Sequence, residues 1–296
     1  TMPTEEEIQK LIEQEKKLGE YQGEDKVISS TELKEKVAID KEKIFFKSSF
    51  PTLDRLIDGF EPGELIIISG PTKHGKTTLA KTFTENFARQ DIKTIWFSYE
   101  MPPRQLLEKF KENVIWYLPA VLIRKDLAWI EERIWEGKIK YGVRIVIIDH
   151  LHYLFDIEKV RYPSIEIGYI IRTLKTLAIK HNVVIFLVCH LTKTKIVSRS
   201  GEEISPSVED LRDSSFIAQE SDCVLLIQRI RDKKQEFLDK ARLKIEIHRR
   251  KGIMGKSIPL IFEKDSFFEL EIGIPKAPTP SEIEPESEKL PSEGFF

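Results

Sequence analysis

The chain predicts an α/β fold: a doubly wound, mostly parallel sheet, with antiparallel strands added at the C-terminal end and a helical N-terminal arm. Three observations carry that expectation. Residues Gly70-Pro71-Thr72-Lys73-His74-Gly75-Lys76-Thr77-Thr78 fit G-x-x-x-x-G-K-[ST], set between an apolar run, Leu65 to Ser69, and a helical pattern, Thr78 to Arg89. The runs Ile145 to Ile148, Val183 to Cys189 and Cys223 to Ile227 are wholly apolar, as strands buried on both faces must be. These runs alternate with amphipathic stretches, and the last strands alternate apolar with polar residues in the antiparallel manner.

Composition sets the outer limits. With 296 residues, 41% hydrophobic and 32% charged, the chain has material for one large or two modest domains with a sizeable core. No apolar run approaches the ~20 residues that a membrane span needs. The charged opening, Thr1 to Lys17, predicts no secretory leader. Cys189 and Cys223 lie in apolar runs, so they read as buried thiols of a reducing, cytoplasmic compartment rather than as a disulfide. A net charge of −2 means that any nucleic-acid site must be a local patch or a channel.

In chain order, residues 1–43 are rich in Glu and Lys. Ile8, Leu11, Ile12 and Leu18 make a stripe too thin to build a core, which reads as a solvated helix or as an arm docking on another copy. A compact domain is expected over 44–273. A turn-rich approach, Ser49 to Glu64, leads into the first strand. Thr94 to Ser98 is a second strand, and Pro103 to Asn113 a helix with Pro at its start. Asp126 to Tyr141 reads as a helix, and so does Ile165 to His181, with Ile167, Ile170, Ile171, Leu174, Leu177 and Ala178 on one face. Thr192 to Ser207 is aperiodic and basic, and Val208 to Glu220 is a short helix. Leu243 to His248, Ser257 to Phe262 and Phe267 to Leu270 are the antiparallel strands. Residues 274–296, rich in Pro, Ser and Glu, predict a disordered acidic tail.

The loop at 70–78 sits where a strand ends and a helix begins. There, backbone N–H groups and the helix dipole favour a triphosphate. Lys76 is expected to reach the β- and γ-phosphates, and the Thr77 hydroxyl to ligate Mg²⁺. Asp149, closing an aliphatic strand, is the expected second Mg²⁺ carboxylate. Glu100, at the end of the second strand, is placed to orient and deprotonate a water, the alternative being a solvated surface glutamate. His74 reads as a spacer inside the loop. Asp149-His150-Leu151-His152 could suggest a metal-dependent hydrolase, but no complementary Cys/His/Asp cluster appears elsewhere in the sequence, so that reading is set aside. No adenine-reading motif is recognisable.

Several segments resemble, in order, those of replicative helicases of the DnaB family. Tyr99-Glu100-Met101-Pro102 with Gln105-Leu106 is similar to S-x-E-M-P-x-x-Q-L, and Ile147-Ile148-Asp149-His150-Leu151-His152 to I-D-Y-L-Q-L. Leu174-Lys175-Thr176-Leu177-Ala178 with Asn182-Val183 resembles L-K-x-L-A-x-x-x-N-V. Asp210-Leu211-Arg212-Asp213-Ser214 and Gln219-Glu220-Ser221-Asp222 resemble D-L-R-[ED]-S and Q-x-A-D. The likeness covers about residues 44–270 and implies a RecA-like motor domain: an Mg²⁺- and ATP-dependent DNA helicase, acting as a hexameric ring on single-stranded DNA, with ATP between subunits. It implies Glu100 as the catalytic carboxylate, and it puts His190 where the family has a glutamine that senses the γ-phosphate. His248-Arg249-Arg250-Lys251-Gly252 resembles K-x-R-x-G. Arg250 then takes the place of a finger reaching the neighbouring subunit's γ-phosphate, His248 replaces a lysine, and Arg249 is placed to compensate.

The same resemblance assigns Lys193, Lys195 and Arg199 to a loop in the ring's central hole, where they would track a phosphate backbone without base readout. Lys159 and Arg161 form a second candidate loop. The tail, with Glu282 to Glu293 and Phe295-Phe296, is expected either to solubilise or to dock a replication partner. Two other readings stay open: a RecA/RadA- or clock-protein-like ATPase, and an ATP-switched loader or accessory protein without unwinding activity.

Overall fold

The structure, a computed structural model, describes residues 4–23, 26–39, 44–110, 113–122, 124–154, 163–190, 207, 214–232 and 234–270. Contacts divide the chain into two units, Thr1–Ile44 and Phe45–Phe296.

The first unit holds two helices, α1 (Glu5–Gly19) and α2 (Ser30–Ile39). Each starts at a reciprocal cap. Thr4 Oγ1 accepts from the Glu7 amide while the Thr4 amide donates to Glu7, and Ser29 and Glu32 do the same. Three glutamates in the first turn of α1 and two lysines in its last complement the helix dipole. No residue of α1 is buried, and Ile8, Leu11, Ile12 and Leu18 are exposed.

The second unit is built on one eight-stranded sheet. Its strands are β1 (Leu65–Ser69), β2 (Thr94–Ser98), β3 (Ile145–Asp149), β4 (Val184–Val188), β5 (Cys223–Arg231), β6 (Phe237–His248), β7 (Ile253–Glu263) and β8 (Ser266–Glu269), in the spatial order β2-β3-β4-β1-β5-β6-β7-β8. The first five in that order run parallel and the last three pairings are antiparallel, the mixed arrangement expected from the apolar and alternating runs. Every residue of β1 to β4 is buried, because helices cover both faces. Side chains alternate along β1: Ile66 and Ile68 join the core under α3 (Pro51–Ile57) and α4 (Lys76–Arg89), while Leu65 and Ile67 join the core under α6 (Leu127–Tyr141) and α7 (Pro163–His181). The α4 side is aromatic. Phe186 meets Phe60 at 4.9 Å and Phe83 at 5.7 Å between ring centroids, and Phe50 meets Phe83 at 5.5 Å.

Several boundaries differ from the sequence expectation, each for a local reason. Helix α4 starts at Lys76 rather than Thr78, because Gly75 takes a left-handed conformation and serves as its N-cap. This brings Lys76 and Thr77 into the first helical turn. Helix α5 (Pro103–Lys109) stops short of Asn113, since Phe110 turns extended and stacks on Trp116 at 4.6 Å. Strand β5 runs four residues past Ile227, paired with β6 through Arg229↔Ala241 and Arg231↔Phe237. Strands β6 and β7 likewise start earlier than expected, as a long hairpin. Only Ser214–Glu220 (α8) of the expected helix from Val208 falls among the described residues. At the other sheet edge, Tyr117 bonds both ways with β2: the Trp96 amide donates to its carbonyl at 2.8 Å and its own amide donates to the Thr94 carbonyl at 2.9 Å. Both cysteines are free and buried, as expected.

A charged strut ties α4 to β8. Lys81, 2% exposed, pairs with Glu85 at 3.1 Å and donates to Ser266 Oγ and the Asp265 carbonyl, each at 2.9 Å. Removing one partner of a buried pair leaves the other charge uncompensated. Lys81→Met is therefore expected to lower the unfolding free energy in urea by about 3 kcal/mol. Adding Glu85→Leu should recover part of that loss; additive losses would show that the pair is not coupled.

Candidate active site

The phosphate loop follows β1 and is shaped by two glycines. Gly70 has φ 153°, and a Cβ there would stand 2.1 Å from the Ile227 carbonyl oxygen of β5. Gly75 has φ 92°, and its Cβ would meet the Phe267 ring at 2.7 Å. Both positions therefore exclude a side chain. His74, expected to be a spacer, is instead fully buried and structural. Its Nδ1 accepts the Arg229 amide at 3.0 Å, and its ring stands edge-on to Phe237 at 5.1 Å. Burial first, then Arg231, Lys76 and Arg229, hold its pKa down at about 4, so the imidazole is neutral. The loop is thus pinned to β5 by a side chain whose role no sequence pattern announced.

Three polar groups converge at the loop's end. Thr77 Oγ1 donates to Asp149 Oδ2 at 2.9 Å. Asp149 Oδ1 is buried and has no partner among the described residues. Burial raises the Asp149 pKa to about 6, against the opposing Thr77 hydrogen bond. The sign matters. A carboxyl with a raised folded pKa favours the folded state below its ordinary pKa, and that contribution is lost as pH rises through about 6. At neutral pH the carboxylate is ionised at a cost, with an open oxygen beside a hydroxyl. That donor set fits Mg²⁺, which takes oxygen ligands. Lys76 Nζ donates to the Gly70 carbonyl at 3.0 Å and the Pro71 carbonyl at 3.1 Å, so the ammonium is capped by its own loop.

Beside them, the ends of β2 and β3 stay paired: the Tyr99 amide donates to the Asp149 carbonyl at 2.7 Å. Glu100 follows, with its carboxylate partly exposed and 3.9 Å from His150 Nε2. His150 and His190 face each other, Nε2 to Nε2, at 3.0 Å. The His152 amide stands 3.3 Å from His150 Nδ1, and the tautomer with the His150 proton on Nε2 satisfies both contacts. Burial, His190, His152 and Lys76 hold His150 down at about 3, and burial with Lys76 lowers His190. Glu100, His150 and His190 thus form a cluster that the sequence did not suggest, because its members lie on three separate strand ends.

Arg250 lies at the opposite end of β1 from the phosphate loop. Its Nε donates to Glu64 Oε1 at 2.9 Å and approaches Glu61 Oε2 at 3.2 Å, and its Nη2 donates to the Ile57 and Gly59 carbonyls at 2.7 and 2.8 Å. Glu64 immediately precedes β1, whose five residues span roughly 16 Å. Arg250 therefore cannot reach the loop of its own chain. Arg249 donates through Nε to the Ser221 carbonyl at 2.7 Å and through Nη2 to that of Gln219. His248 is buried, its Nε2 has no partner among the described residues, and burial ahead of Arg250 lowers its pKa to about 4. It brings no positive charge at neutral pH. Nearby, Lys175 Nζ donates to both Asp222 oxygens, at 2.7 and 2.9 Å, and to the Gly63 carbonyl at 2.8 Å, while Asp222 also accepts the Leu65 amide at 2.7 Å. Two segments singled out in the sequence for their resemblance are thus one clamp on the start of β1.

Lys159, Arg161, Lys193, Lys195 and Arg199 lie outside the described residues, as do Asp210 to Asp213 and the tail. A flat cationic and aromatic group beside the loop was missed. The Arg229 guanidinium lies 4.1 Å from the Phe262 ring centroid and 4.8 Å from that of Phe237. The signal was the alternation of Arg229 and Arg231 along β5, which marks no group until Phe262 is brought across from β7.

A family model described as the DnaB-like helicase C-terminal domain matches residues 46–114 and 124–269. A replicative DNA helicase DnaB of Mycoplasma genitalium is 30% identical over 260 residues, covering 74% of this chain and 54% of that protein. That of Leifsonia xyli is 26% identical over 213 residues, covering 62% and 46%. The chain spans about half the length of the curated relatives it matches. Among solved structures, one described as an ATPase domain aligns with a TM-score of 0.66 at 22% identity, covering 81% of this chain and 96% of that one. A DnaB-like replicative helicase, solved in a study of its interactions with primase, aligns with a TM-score of 0.67 at 22% identity, covering 91% and 73%. The fold is that of these two solved structures, and the chain belongs to the DnaB-like helicase C-terminal domain family.

Proposed function

We propose that the chain is the motor of an ATP-dependent, ring-forming DNA helicase that hydrolyses ATP at the seams between its copies, six to a ring, as it moves on single-stranded DNA. One observation carries most of this reading. The phosphate loop, Thr77, Asp149 and Glu100 stand at one end of β1, and Arg250 stands at the other. A site that uses all of them needs two copies. Family membership supports the same reading, and it sets a ring helicase above a filament-forming or signalling ATPase.

Each residue then has a distinct task. The loop amides, Lys76 and the α4 N-terminus would bind the triphosphate of ATP. Thr77 and Asp149 would hold Mg²⁺, which neutralises charge on the β- and γ-phosphates. The adenine would stack in the group formed by Arg229 and Phe262. Glu100 would orient a water and accept its proton as the water oxygen attacks the γ-phosphorus and the bond to the β-phosphate oxygen breaks. His190 would contact the γ-phosphate as a neutral imidazole. The neighbour's Arg250 would meet that phosphate with Nη1, which no bond among the described residues uses. Lys193, Lys195 and Arg199, with Lys159 and Arg161 secondary, would follow the DNA backbone. The acidic tail is proposed to dock a replication partner in the cytoplasm. No helix among the described residues is long and apolar enough to cross a membrane.

Three measurements test this reading. Arg250→Ala protein, shown to be folded by circular dichroism, is titrated into wild type. ATPase activity should fall more steeply than the mutant fraction rises, whereas a proportional fall would rule out a shared site. Single-stranded DNA should stimulate ATP hydrolysis by the assembled ring, with a steep salt dependence; an unchanged rate would count against translocation. Asp149→Asn removes a costly buried charge while keeping the Thr77 contact. It should raise the stability of the nucleotide-free protein at neutral pH by roughly 1–3 kcal/mol and abolish Mg²⁺-dependent hydrolysis. Lower stability with intact hydrolysis would remove Asp149 from the metal site.

A further inference from the structure

We propose that Glu100, His150 and His190 form a binding site for a Zn²⁺-class divalent ion, separate from the Mg²⁺ ligands Thr77 and Asp149, and that filling it withdraws Glu100 from hydrolysis. The second half rests on the reading of Glu100 as the base; the first half does not.

The donors are already gathered. The three ligand atoms, two imidazole Nε2 and one carboxylate oxygen, lie within 4.8 Å of one another. The two nitrogens are 3.0 Å apart. Neighbouring ligands on a tetrahedral Zn²⁺, each about 2.0–2.1 Å from the metal, stand about 3.3 Å apart. The histidines therefore need only a slight opening. Glu100 supplies the remaining adjustment: its side chain is 43% exposed, while that of His150 is 7% exposed and fixed. The two closest donors are thus preorganised, and the third can swing in from solvent.

The proton accounting is closed. In the metal-free pair, one proton lies between the two Nε2 atoms. A metal ion replaces it, and the His150 proton moves to Nδ1. The 3.3 Å contact from the His152 amide to that atom has to yield. The contact is long for a hydrogen bond, so the loss is small. Three protein ligands leave one tetrahedral position open.

The chemistry also separates this site from its neighbour. Two imidazoles and a carboxylate suit Zn²⁺, Co²⁺ or Ni²⁺, whereas Mg²⁺ prefers oxygen ligands and keeps its waters. Thr77 and Asp149 offer oxygen alone. Cys189, adjacent in sequence, is fully buried with its thiol pushed up, so nitrogen and oxygen are the expected donors. Glu100 cannot both ligate a metal and take a proton from water, so occupancy should slow hydrolysis rather than support it.

The test is a Co²⁺ titration of the full chain in excess Mg²⁺, followed by visible absorption. His150→Tyr and His190→Gln give each position the residue that the family pattern carries there, which favours retention of the fold. Wild type should take up one Co²⁺ per chain with the intense bands of a four- or five-coordinate nitrogen/oxygen site, and both variants should lose them. Micromolar Zn²⁺ should displace the Co²⁺ and slow wild-type ATP hydrolysis on the order of a hundredfold, reversibly with a chelator. Each variant, compared with its own metal-free rate, should be unaffected. No intense bands, bands that persist in both variants, or equal inhibition of all three proteins would overturn the site while leaving the motor reading intact. Bands in wild type without slower hydrolysis would overturn the inhibitory half, and with it Glu100 as the base.

Discussion

Asp149 ends a strand whose other four residues are aliphatic and fully buried, and it keeps one oxygen without a partner among the described residues. A carboxylate in that position is costly to ionise, and the surrounding arrangement follows from that cost. Thr77 supplies one hydrogen bond because α4 begins early enough to bring it into the first helical turn. Lys76 is close enough to lower the cost but is turned toward its own loop carbonyls. The arrangement is incomplete by itself: an unsatisfied anion and a self-capped cation face the same space. A magnesium nucleotide offers both what they lack, a cation for the one and phosphate oxygens for the other. The buried sheet around them keeps these polar groups from relaxing toward other partners.

That rigidity has named sources. Lys175 and Asp222 clamp the start of β1, His74 pins the loop after β1 to β5, and the sheet fixes the distance between them. Arg250 is seated among Glu61, Glu64 and two carbonyls just outside the clamp. A movement of the phosphate loop can therefore pass along β1 with little loss, since buried strands do not bend cheaply. In a ring, the far end of that strand would touch the next site.

The parallel strands β1, β3, β4 and β5 were legible because wholly apolar runs of four to seven residues have few other uses, and the phosphate loop because its spacing is strict. Glu100 and Asp149 were legible as strand-end carboxylates. Three things were not. His74 is indistinguishable in sequence from a filler, because its partner Arg229 is contributed through the backbone amide of a distant strand. The aromatic and arginine group needs Phe262 and Arg229, which are brought together only by the β5-β6-β7 register. The Glu100, His150 and His190 cluster is hidden because its members are spread along the chain, and local spacing carries no trace of which strand ends adjoin. Tertiary register, not composition, makes each of these.

The histidines also explain how charge is distributed. His74, His150, His190 and His248 all have lowered pKa values with burial the first cause, and for His74, His190 and His248 the next cause is a neighbouring lysine or arginine. Charging any of them would add a cation where cations are already crowded. At neutral pH the positive potential around the loop is thus carried by Lys76 and the arginines, while the imidazoles act as shape and hydrogen-bond partners. This bears on the place where the family pattern has a lysine and this chain has His248. A neutral, buried imidazole cannot stand in for an ammonium, and Arg249 is committed to the carbonyls of Ser221 and Gln219. The turn's other cations are also engaged, Arg250 with Glu61 and Glu64 and Lys251 with Asp58, so any reach toward a neighbouring copy starts from groups already balanced within the chain.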